Sequence, residues 1–397
     1  MYYDLEHLGL PLSYSRQLLR ELINNFGKPF VVRLLDAIAR PPSRYYLRVN
    51  TLKITKGALI GKLKQHGILT FSDEVLYDAV YIKINNVPRN VPVSEYIAVA
   101  DKYAAESVMV GANLYIPGVI KFDKDIKKGD YVTIVDPKGH VVGWGLAMIN
   151  SDEISKNKHG IAVKTIISRY NVPSLRDLKE YKEGLFFAQS YPAILTSHIL
   201  DPKPGDVIVD MCAAPGGKTT HLAQLMKNKG IIYAFDKSEK KINAIKENAM
   251  RLGIKCIKPI VHDSRYIHVD YQWLRADKVL LDPPCSALGV RPKLYEEKNW
   301  YDVIALAEYQ KQFLKAAYYV LDKGGLLVYS TCTITVQENE EIVKYAVNEL
   351  GFKLISQRYF IGTYGLRIEG IDYELVQRFF PHMHDSPGYF IALLEKP

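Results

Sequence analysis

The sequence has little of what secreted, disulfide-bonded, zinc-binding or membrane proteins need. Its cysteines are Cys212, Cys256, Cys285 and Cys332, and none of them stands in a C-x-x-C pair. That spacing fits neither a disulfide framework nor a zinc site, so we expect no metal and a reducing, cytoplasmic location. No apolar run approaches the ~20 residues of a membrane helix. The N-terminus lacks the basic-then-apolar order of a signal peptide, so no targeting segment is expected.

Beyond these absences, the chain has the composition of an ordinary globular protein with an excess of basic residues. It is 48% hydrophobic and 24% charged, and its formal net charge is +9. A length of 397 residues is long for one hydrophobic core and predicts two or three domains. The basic excess suits a polyanionic partner, although basic charge alone does not identify one.

The most informative stretch is D-M-C-A-A-P-G-G-K-T-T at residues 210–220. A β-branched run precedes it and a helical pattern follows, which predicts a tight turn from a strand into a helix. Such a turn lets a ligand approach the backbone and directs the amides of a helix N-terminus towards it. The alternative is a sharp turn that binds nothing.

Two classes of ligand compete for this turn. A phosphate-binding loop needs G-x-x-x-x-G-K-[ST], but Cys212 occupies the place of its first glycine, and G-x-G-x-x-G is absent as well. A second predicted strand, 231–235, is followed by Asp236, which lies 20 residues after Gly216 (236 − 216). At that spacing a carboxylate binds the ribose hydroxyls of a nucleoside cofactor, so this class is favoured.

Three regions are predicted along the chain. Residues 1–92 read as a small α/β region, and residues 93–170 are strand-rich with frequent turns, which predicts a small β-barrel. From 171 to 397 strands alternate with helices, which predicts a parallel sheet covered by helices on both faces. The first region carries a basic cluster that is equally well explained as a solvated surface or as a phosphate-contacting face; its members are Arg40, Arg44, Arg48, Lys53 and Lys56.

Reactive residues gather where the strands of the last region end. We predict those strands at 207–210, 231–235, 257–261, 278–281, 326–329, 353–356 and 389–394. Ligands bind at the carboxyl ends of the strands in such sheets. The polar or reactive residues expected at that edge are Cys212, Asp236, Asp263, Asp282, Cys285 and Cys332.

Two of these cysteines have neighbours that suggest covalent chemistry. Prolines follow Asp282 and precede Cys285, and they hold the backbone extended. Many methyltransferases that act on amino groups have an aromatic residue where Cys285 stands, so a thiol suggests chemistry at a ring carbon instead. Cys332 ends the next strand, and residues 335–338 match a capping box, which predicts that a helix dipole lowers the pKa of Cys332.

These residues are consistent with methyl transfer to carbon 5 of cytosine. A thiolate that adds to carbon 6 turns carbon 5 into an enamine, which can attack a methyl sulfonium. Asp282, as a protonated or proton-sharing acid, would hydrogen-bond ring nitrogen 3 and the amino group. A base then removes the proton at carbon 5, and the thiolate leaves.

Three motifs in this order resemble the Sun-domain RNA (cytosine-5) methyltransferases: A-A-P-G-G-K at 213–218, D-P-P-C-S at 282–286 and S-T-C-T at 330–333. The segment V-M-V-G-A-N-L-Y-I-P-G-V at 108–119 resembles the signature of the PUA domain, an RNA-binding barrel. The chain is therefore similar to the PUA-containing branch of that family. This resemblance implies a Rossmann-like methyltransferase domain, a PUA barrel and an N-terminal α/β region, at the boundaries given above.

The resemblance also implies a cofactor and roles for residues. The methyl donor would be S-adenosylmethionine, bound by Cys212, Ala213, Ala214, Pro215, Gly216, Gly217, Lys218, Asp236, Lys241, Asp263 and Asp282. Asp263 would bind the adenine amino group, Cys332 would be the nucleophile, and Cys285 would assist product release. DNA cytosine-5 methyltransferases use the Pro-Cys cysteine instead, so geometry alone leaves the choice of nucleophile open.

The PUA-containing branch is similar to enzymes that methylate cytosine 72 of the tRNA acceptor stem, where the PUA domain holds the CCA end. We therefore expect tRNA as the partner, no membrane, and a monomer. Two alternatives stay open. The enzyme could methylate another tRNA position or ribosomal RNA, or the chain could be a non-catalytic RNA-binding assembly factor.

Overall fold

The structure is a computed structural model that describes residues 2–4 and 13–397. The N-terminal segment that was compared with a signal peptide lies largely outside the described residues. The helices are α1 (Arg16–Phe26), α2 (Lys28–Ile38), α3 (Lys56–Gln65), α4 (Lys102–Met109), α5 (Lys179–Lys182), α6 (Tyr191–Leu200), α7 (Gly217–Leu225), α8 (Glu239–Leu252), α9 (Ile267–Asp270), α10 (Trp300–Val320), α11 (Glu340–Asn348) and α12 (Pro381–His384).

Among the residues that the structure describes, the strands belong to four sheets. They are β1 (Tyr2–Asp4), β2 (Ser13–Ser15), β3 (Arg44–Val49), β4 (Thr70–Ser72), β5 (Ala79–Lys83), β6 (Tyr96–Ala100), β7 (Leu114–Tyr115), β8 (Val119–Phe122), β9 (Tyr131–Val135), β10 (Val141–Ala147), β11 (Ile161–Ser168), β12 (Phe186–Ala188), β13 (Val207–Asp210), β14 (Ile231–Asp236), β15 (Ile257–Val261), β16 (Ala276–Leu281), β17 (Leu321–Thr331), β18 (Lys353–Ile355), β19 (Thr363–Tyr364), β20 (Gln377–Phe379) and β21 (Tyr389–Glu395).

The N-terminal helices pack onto the C-terminal region. Helix α1 begins after Ser15, whose hydroxyl accepts a hydrogen bond from the backbone N–H of Leu18 at 3.3 Å and so caps the helix. The buried side of α1 and α2 shares one apolar cluster with Leu288, Ile334 and Phe380. Two of these three residues lie close in sequence to Cys285 and Cys332, so the first helices support the backbone around both cysteines.

The barrel is inserted into the N-terminal region. A four-stranded antiparallel sheet has the order β12-β3-β5-β4, and its edge strand β12 comes from beyond the barrel. Strand β12 falls after the boundary that the sequence suggests at residue 171, yet it pairs with β3. Its apolar residues complete the core beneath this sheet, because Phe186 is fully buried among Leu47 and Val80.

The barrel itself has six strands in the order β7-β11-β10-β9-β6-β8, with α4 against them. Its G-x-G strand is needed for close packing. A Cβ on Gly143 would lie 2.6 Å from Cγ1 of Val108, and one on Gly145 would lie 2.0 Å from the carbonyl oxygen of Lys164. Both contacts are too short for any side chain, so glycine is required at both positions.

The C-terminal region is built on a nine-stranded sheet. Strands β15, β14, β13, β16 and β17 lie side by side in this order and run parallel, as expected. From β13 the chain adds strands first on one side and then on the other, and α/β sheets bind ligands at such a switch point. Apolar clusters lie on both faces beneath the helices.

The expectation of a wholly parallel sheet is wrong for β18 to β21, which pair antiparallel to their neighbours. Only the short helix α12 joins β20 to β21, and a parallel return needs a longer crossover.

A buried polar network joins the N-terminal region to the C-terminal region. The carboxylate of Asp78 is fully buried, and its two oxygens lie 2.8 and 2.7 Å from Nε2 of His198 in α6 and Nε2 of His221 in α7. Arg48 is also buried, and it donates to Oγ1 of Thr220 at 2.9 Å. These bonds satisfy polar groups that would otherwise destabilise the interface.

Three members of the predicted basic cluster bond to other parts of the protein. Arg48 is buried, Lys53 donates to the carbonyls of Glu183 and Arg251, and Lys56 donates to the carbonyl of Asp73. Neither alternative explains the buried Arg48, whereas Lys53 stays exposed and so still belongs to the surface. Among the described residues, no helix is both long and apolar enough to cross a lipid bilayer.

Candidate active site

A cavity of about 270 Å³ opens at the carboxyl ends of β13, β14, β15, β16 and β17. It is lined by Met211, Cys212, Ala214, Asp236, Lys237, Lys241, His262, Asp263, Ser264, Asp282, Pro283, Pro284, Cys285, Ala287, Tyr309, Phe313 and Cys332. The structure therefore brings both candidate thiols and all three candidate carboxylates to one cavity. These strand ends adjoin because parallel strands end at the same edge of a sheet.

The glycine turn contributes to the cavity with its first half only. Cys212 and Ala214 line the cavity, whereas Ala213 is buried and donates its N–H to the carbonyl of Phe235 at 3.0 Å. Asp210, at the end of β13, holds the turn by accepting from the hydroxyl of Thr219 at 2.7 Å. Burial raises the pKa of Asp210 to about 7.

The second half of the turn, Pro215 to Gly217, packs against neighbouring elements. Gly216 has a φ of 99°, and a Cβ there would lie 3.4 Å from Cα of Ile245 in α8. A Cβ on Gly217 would lie 3.2 Å from the ring of Phe187 in β12. Asn248 donates to the carbonyl of Pro215 at 2.9 Å. These residues thus shape the turn, and the structure does not place them among the lining residues.

Two carboxylates stand at the ends of neighbouring strands. Asp236 is 7% exposed, and Nζ of Lys241 lies 3.5 Å from its Oδ1. Arg265 donates from Nε and Nη2 to both oxygens of Asp263, at 3.0 and 2.6 Å, and this pairing lowers the pKa of Asp263. Asp263 is therefore held as an oriented acceptor facing the cavity.

Sequence reasoning missed the aromatic wall of the cavity. Tyr309 and Phe313 come from α10, and the guanidinium of Arg265 lies 4.5 Å from the centre of the Tyr309 ring. No sequence motif indicates that these two residues line the cavity, because the sequence of α10 has only the pattern of an ordinary amphipathic helix. Aromatic rings beside two carboxylates fit an adenine and a ribose, so the residues present fit a nucleoside cofactor.

Cys285 and Cys332, two of the three cysteines that line the cavity, lie beside each other as free thiols. Sγ of Cys285 and Sγ of Cys332 are 3.4 Å apart. The hydrogen bond between them lowers the pKa of Cys332 and raises that of Cys285 well above its usual value, and the charge of Lys218 further lowers the former. The two sulfurs are close enough for one to donate its S–H to the other, and the opposite directions of the two pKa shifts favour Cys332 as the nucleophile.

The capping box predicted after Cys332 is wrong. Helix α11 begins at Glu340 after Asn339, eight residues beyond Cys332 (340 − 332), so residues 335–338 form no capping box. The carboxylate of Glu338 instead turns back and accepts from the backbone N–H of Ser286 at 2.7 Å. The sequence pattern is misleading here because a long-range partner outcompetes the local helix cap.

Asp282 lies between two donors on the side of the thiols. Nζ of Lys218 donates to its Oδ2, and the hydroxyl of Ser330 donates to its Oδ1 at 3.2 Å. Burial alone would lower the pKa of Lys218, but the charge of Asp282 outweighs burial, so the pKa of Lys218 lies above its usual value. Both oxygens of Asp282 thus accept hydrogen bonds from neighbouring side chains.

Comparison with known proteins agrees with this geometry. The family model described as 16S rRNA methyltransferase RsmB/F matches residues 197–395, and the PUA domain model matches residues 96–167. The tRNA (cytosine(72)-C(5))-methyltransferase of Pyrococcus horikoshii is 45% identical over 386 residues, which are 97% of this chain and 97% of that protein. The chain belongs to the RNA (cytosine-5) methyltransferase family.

Further relatives of the enzyme are similar over most of its length. Human tRNA (cytosine(72)-C(5))-methyltransferase NSUN6 is 31% identical over 409 residues, covering 91% of this chain and 86% of the human protein. The crystal structure of NSun6 from Pyrococcus horikoshii with SFG has a TM-score of 0.86 at 44% identity and covers 96% of this chain and 98% of that chain. The predicted methyltransferase fold, the PUA domain and S-adenosylmethionine as cofactor are confirmed.

Proposed function

We propose that this enzyme methylates carbon 5 of cytosine 72 in the acceptor stem of tRNA. Two relatives that align with nearly the whole chain are named for that reaction. The observation that carries the proposal is a pair of thiols 3.4 Å apart in the cavity that also contains Asp236 and Asp263. Methyl transfer to a cytosine carbon needs a sulfur nucleophile next to the methyl donor, and this cavity provides both places.

In the proposed mechanism the thiolate of Cys332 adds to carbon 6 of cytosine, which makes carbon 5 nucleophilic. Bound S-adenosylmethionine supplies the methyl group that carbon 5 attacks. Asp282 accepts a hydrogen bond from the cytosine amino group, while the ammonium of Lys218 offsets charge on the ring. When the carbon 6–sulfur bond breaks, the S–H of Cys285 stabilises the departing thiolate of Cys332 through their hydrogen bond.

The proposal divides the chain into residues 1–92, 93–170 and 171–397, with β12 returning to the first sheet. The PUA domain would bind the CCA end of tRNA, which lies next to position 72 in the acceptor stem. A target at the end of a helix is less costly to unstack than one inside it. A monomeric enzyme is part of the proposal. So is a reducing, cytoplasmic location, because the mechanism needs Cys285 and Cys332 as free thiols.

A trapping experiment tests the chemistry. RNA with 5-fluorocytosine at position 72 has no proton to lose at carbon 5, so the wild-type enzyme should form a stable covalent adduct. Cys332→Ala should form none. If Cys332→Ala still traps the RNA and Cys285→Ala does not, the two assignments are reversed. Bisulfite sequencing of total RNA after methylation identifies the position, and modification only at another tRNA position or in ribosomal RNA would contradict the choice of cytosine 72.

A further inference from the structure

Glu338 is a fully buried acid next to the two cysteines, and the proposed mechanism does not use it. Its Oε1 accepts from the backbone N–H of Ser286 at 2.7 Å and from Nε2 of Gln310 at 3.1 Å. Its Oε2 accepts from the hydroxyls of Ser286 at 2.5 Å and Thr335 at 2.9 Å. No basic side chain among residues 13–397 forms an ion pair with it. A buried carboxylate held by donors alone is costly, so its retention calls for a reason.

The donors belong to both cysteine loops. Ser286 directly follows Cys285, and Thr335 lies three residues after Cys332. Gln310 in α10 also donates to the carbonyl of Pro284 at 3.0 Å, which adds a second tie to the Pro-Cys loop. The carboxylate therefore connects the segment that carries one thiol to the segment that carries the other.

The two cysteines depend on this connection to different degrees. Cys332 follows β17, whose last residue Thr331 is paired with Phe390, and its own carbonyl accepts from the N–H of Gly289 at 3.0 Å. Cys285 lies outside any strand, directly after two prolines that have no N–H to donate. The side chain of Glu338 is the acceptor for the first N–H after Cys285. Removing that acceptor should displace Cys285 more than Cys332.

We propose that Glu338 is a positioning residue that holds the thiol of Cys285 against the sulfur of Cys332 and is needed for product release. This inference rests on the proposed function. In release, the carbon 5–hydrogen bond breaks, its electron pair forms the carbon 5–carbon 6 double bond, and the proton passes to solvent. The carbon 6–sulfur bond breaks at the same time, and its electron pair stays on Cys332. Without the Cys285 hydrogen bond that thiolate is a poorer leaving group, so the thioether persists.

The test uses ordinary tRNA with cytosine at the target, together with S-adenosylmethionine. Glu338→Ala should accumulate an SDS-resistant enzyme–RNA adduct that the wild type does not, as Cys285→Ala should. Turnover should fall about tenfold to a hundredfold, the usual cost of a misplaced group. A loss of general stability would lower cofactor binding and adduct together, and so cannot produce this pattern.

Two further variants sharpen the test. Glu338→Gln should release product nearly as the wild type does, because its amide oxygen can still accept from Ser286 N–H and its NH₂ can donate to the two hydroxyls. Glu338→Asp keeps the charge but shortens the reach, so it should also trap RNA, and it replaces the alanine variant if that one fails to bind cofactor. The matched control is Glu341→Ala, at an exposed acid on the first turn of α11, which should leave turnover unchanged.

The outcomes separate this inference from the function on which it rests. If Cys285→Ala traps ordinary RNA while Glu338→Ala and Glu338→Asp release product at the wild-type rate, the positioning role is refuted. If Glu338→Gln traps RNA as strongly as Glu338→Ala, positioning by hydrogen bonds is refuted as well. If wild-type enzyme forms no adduct with 5-fluorocytosine RNA and Cys285→Ala forms none with ordinary RNA, the proposed chemistry itself fails.

Discussion

Arg378 and Glu340 form a buried ion pair that supports the segment after the nucleophile. Arg378 is 1% exposed and Glu340 is fully buried. Nε of Arg378 donates to Oε1 of Glu340 at 2.6 Å, and Nη2 donates to Oε2. Nη1 and Nη2 also donate to the carbonyls of Ile334 and Thr335, which follow Cys332 closely. Substituting Arg378 therefore tests whether this pair holds the nucleophile segment in place.

Arg378→Met fills much of the same volume but leaves the carboxylate of Glu340 buried without its counter-charge. Breaking a buried pair in this way costs about 3–5 kcal/mol of unfolding free energy. For a cooperative unit of about 200 residues, 1 kcal/mol shifts the melting temperature by about 2–4 °C, so a decrease of about 6–20 °C is expected. Both members of the pair are buried, so salt should change this difference in stability little.

The double variant Arg378→Met/Glu340→Gln removes the unpaired charge of Glu340 and so separates its cost from the loss of the arginine side chain. The amide oxygen of the glutamine can still accept from the N–H of Leu366, which bonds to Glu340 at 2.8 Å. The double variant should therefore be more stable than Arg378→Met alone, with a coupling of about 2–3 kcal/mol. Thermal unfolding followed by circular dichroism measures this, and Arg367→Met, at an exposed arginine, is the control. An Arg378→Met enzyme that melts within 2 °C of the wild type, or a double variant less stable than the single one, would refute the reasoning.

Two predictions concern pH. The hydrogen bond with Cys285 is the main cause that lowers the pKa of Cys332, and the charge of Lys218 lowers it further. In a plot of the rate of adduct formation with 5-fluorocytosine RNA against pH, Lys218→Met should therefore shift the rise at acidic pH to higher pH. A rise at the same pH as in the wild type would contradict this. Burial lowers the pKa of His221 to about 3, below its unfolded value of about 6.5. The unfolded chain then binds more protons between these values, so stability falls as pH falls through this window, by up to about 1.4 kcal/mol per pH unit. His221→Gln should flatten that slope between pH 6 and 4 in denaturant titrations, and an equal slope would exclude His221 as its source.

Much of the catalytic region was predictable from the sequence because its signals are local. The strand β13 was predicted with its observed bounds, and β14, β15 and β16 within two residues, since β-branched runs next to glycine and proline define them. In a parallel sheet the carboxyl ends of strands share an edge, so Asp236, Asp282 and Cys332 were expected to meet, and the cavity contains all three.

The errors came from contacts between residues far apart in sequence. Thr335 and Glu338 have the spacing of a helix cap, but the carboxylate bonds to Ser286, 52 residues away. The sequence also left open whether Lys53 and Lys56 belong to a solvated surface or to a phosphate-contacting face, and it did not indicate that their ammonium groups bond to backbone carbonyls. A local pattern does not encode the partner that a distant segment brings to it.

The sequence by itself determined the order of strands and turns, the family and the residue types available for chemistry at the strand ends. Only the tertiary structure decided how the two sulfurs influence each other, because that depends on a 3.4 Å contact between Cys285 and Cys332 and on the position of Lys218. Only the packed structure also places Tyr309 beside the cavity and buries Glu338 behind both thiols. Hydrogen bonds and burial depend on distances in space, and these distances exist only once the sheets and helices have packed together.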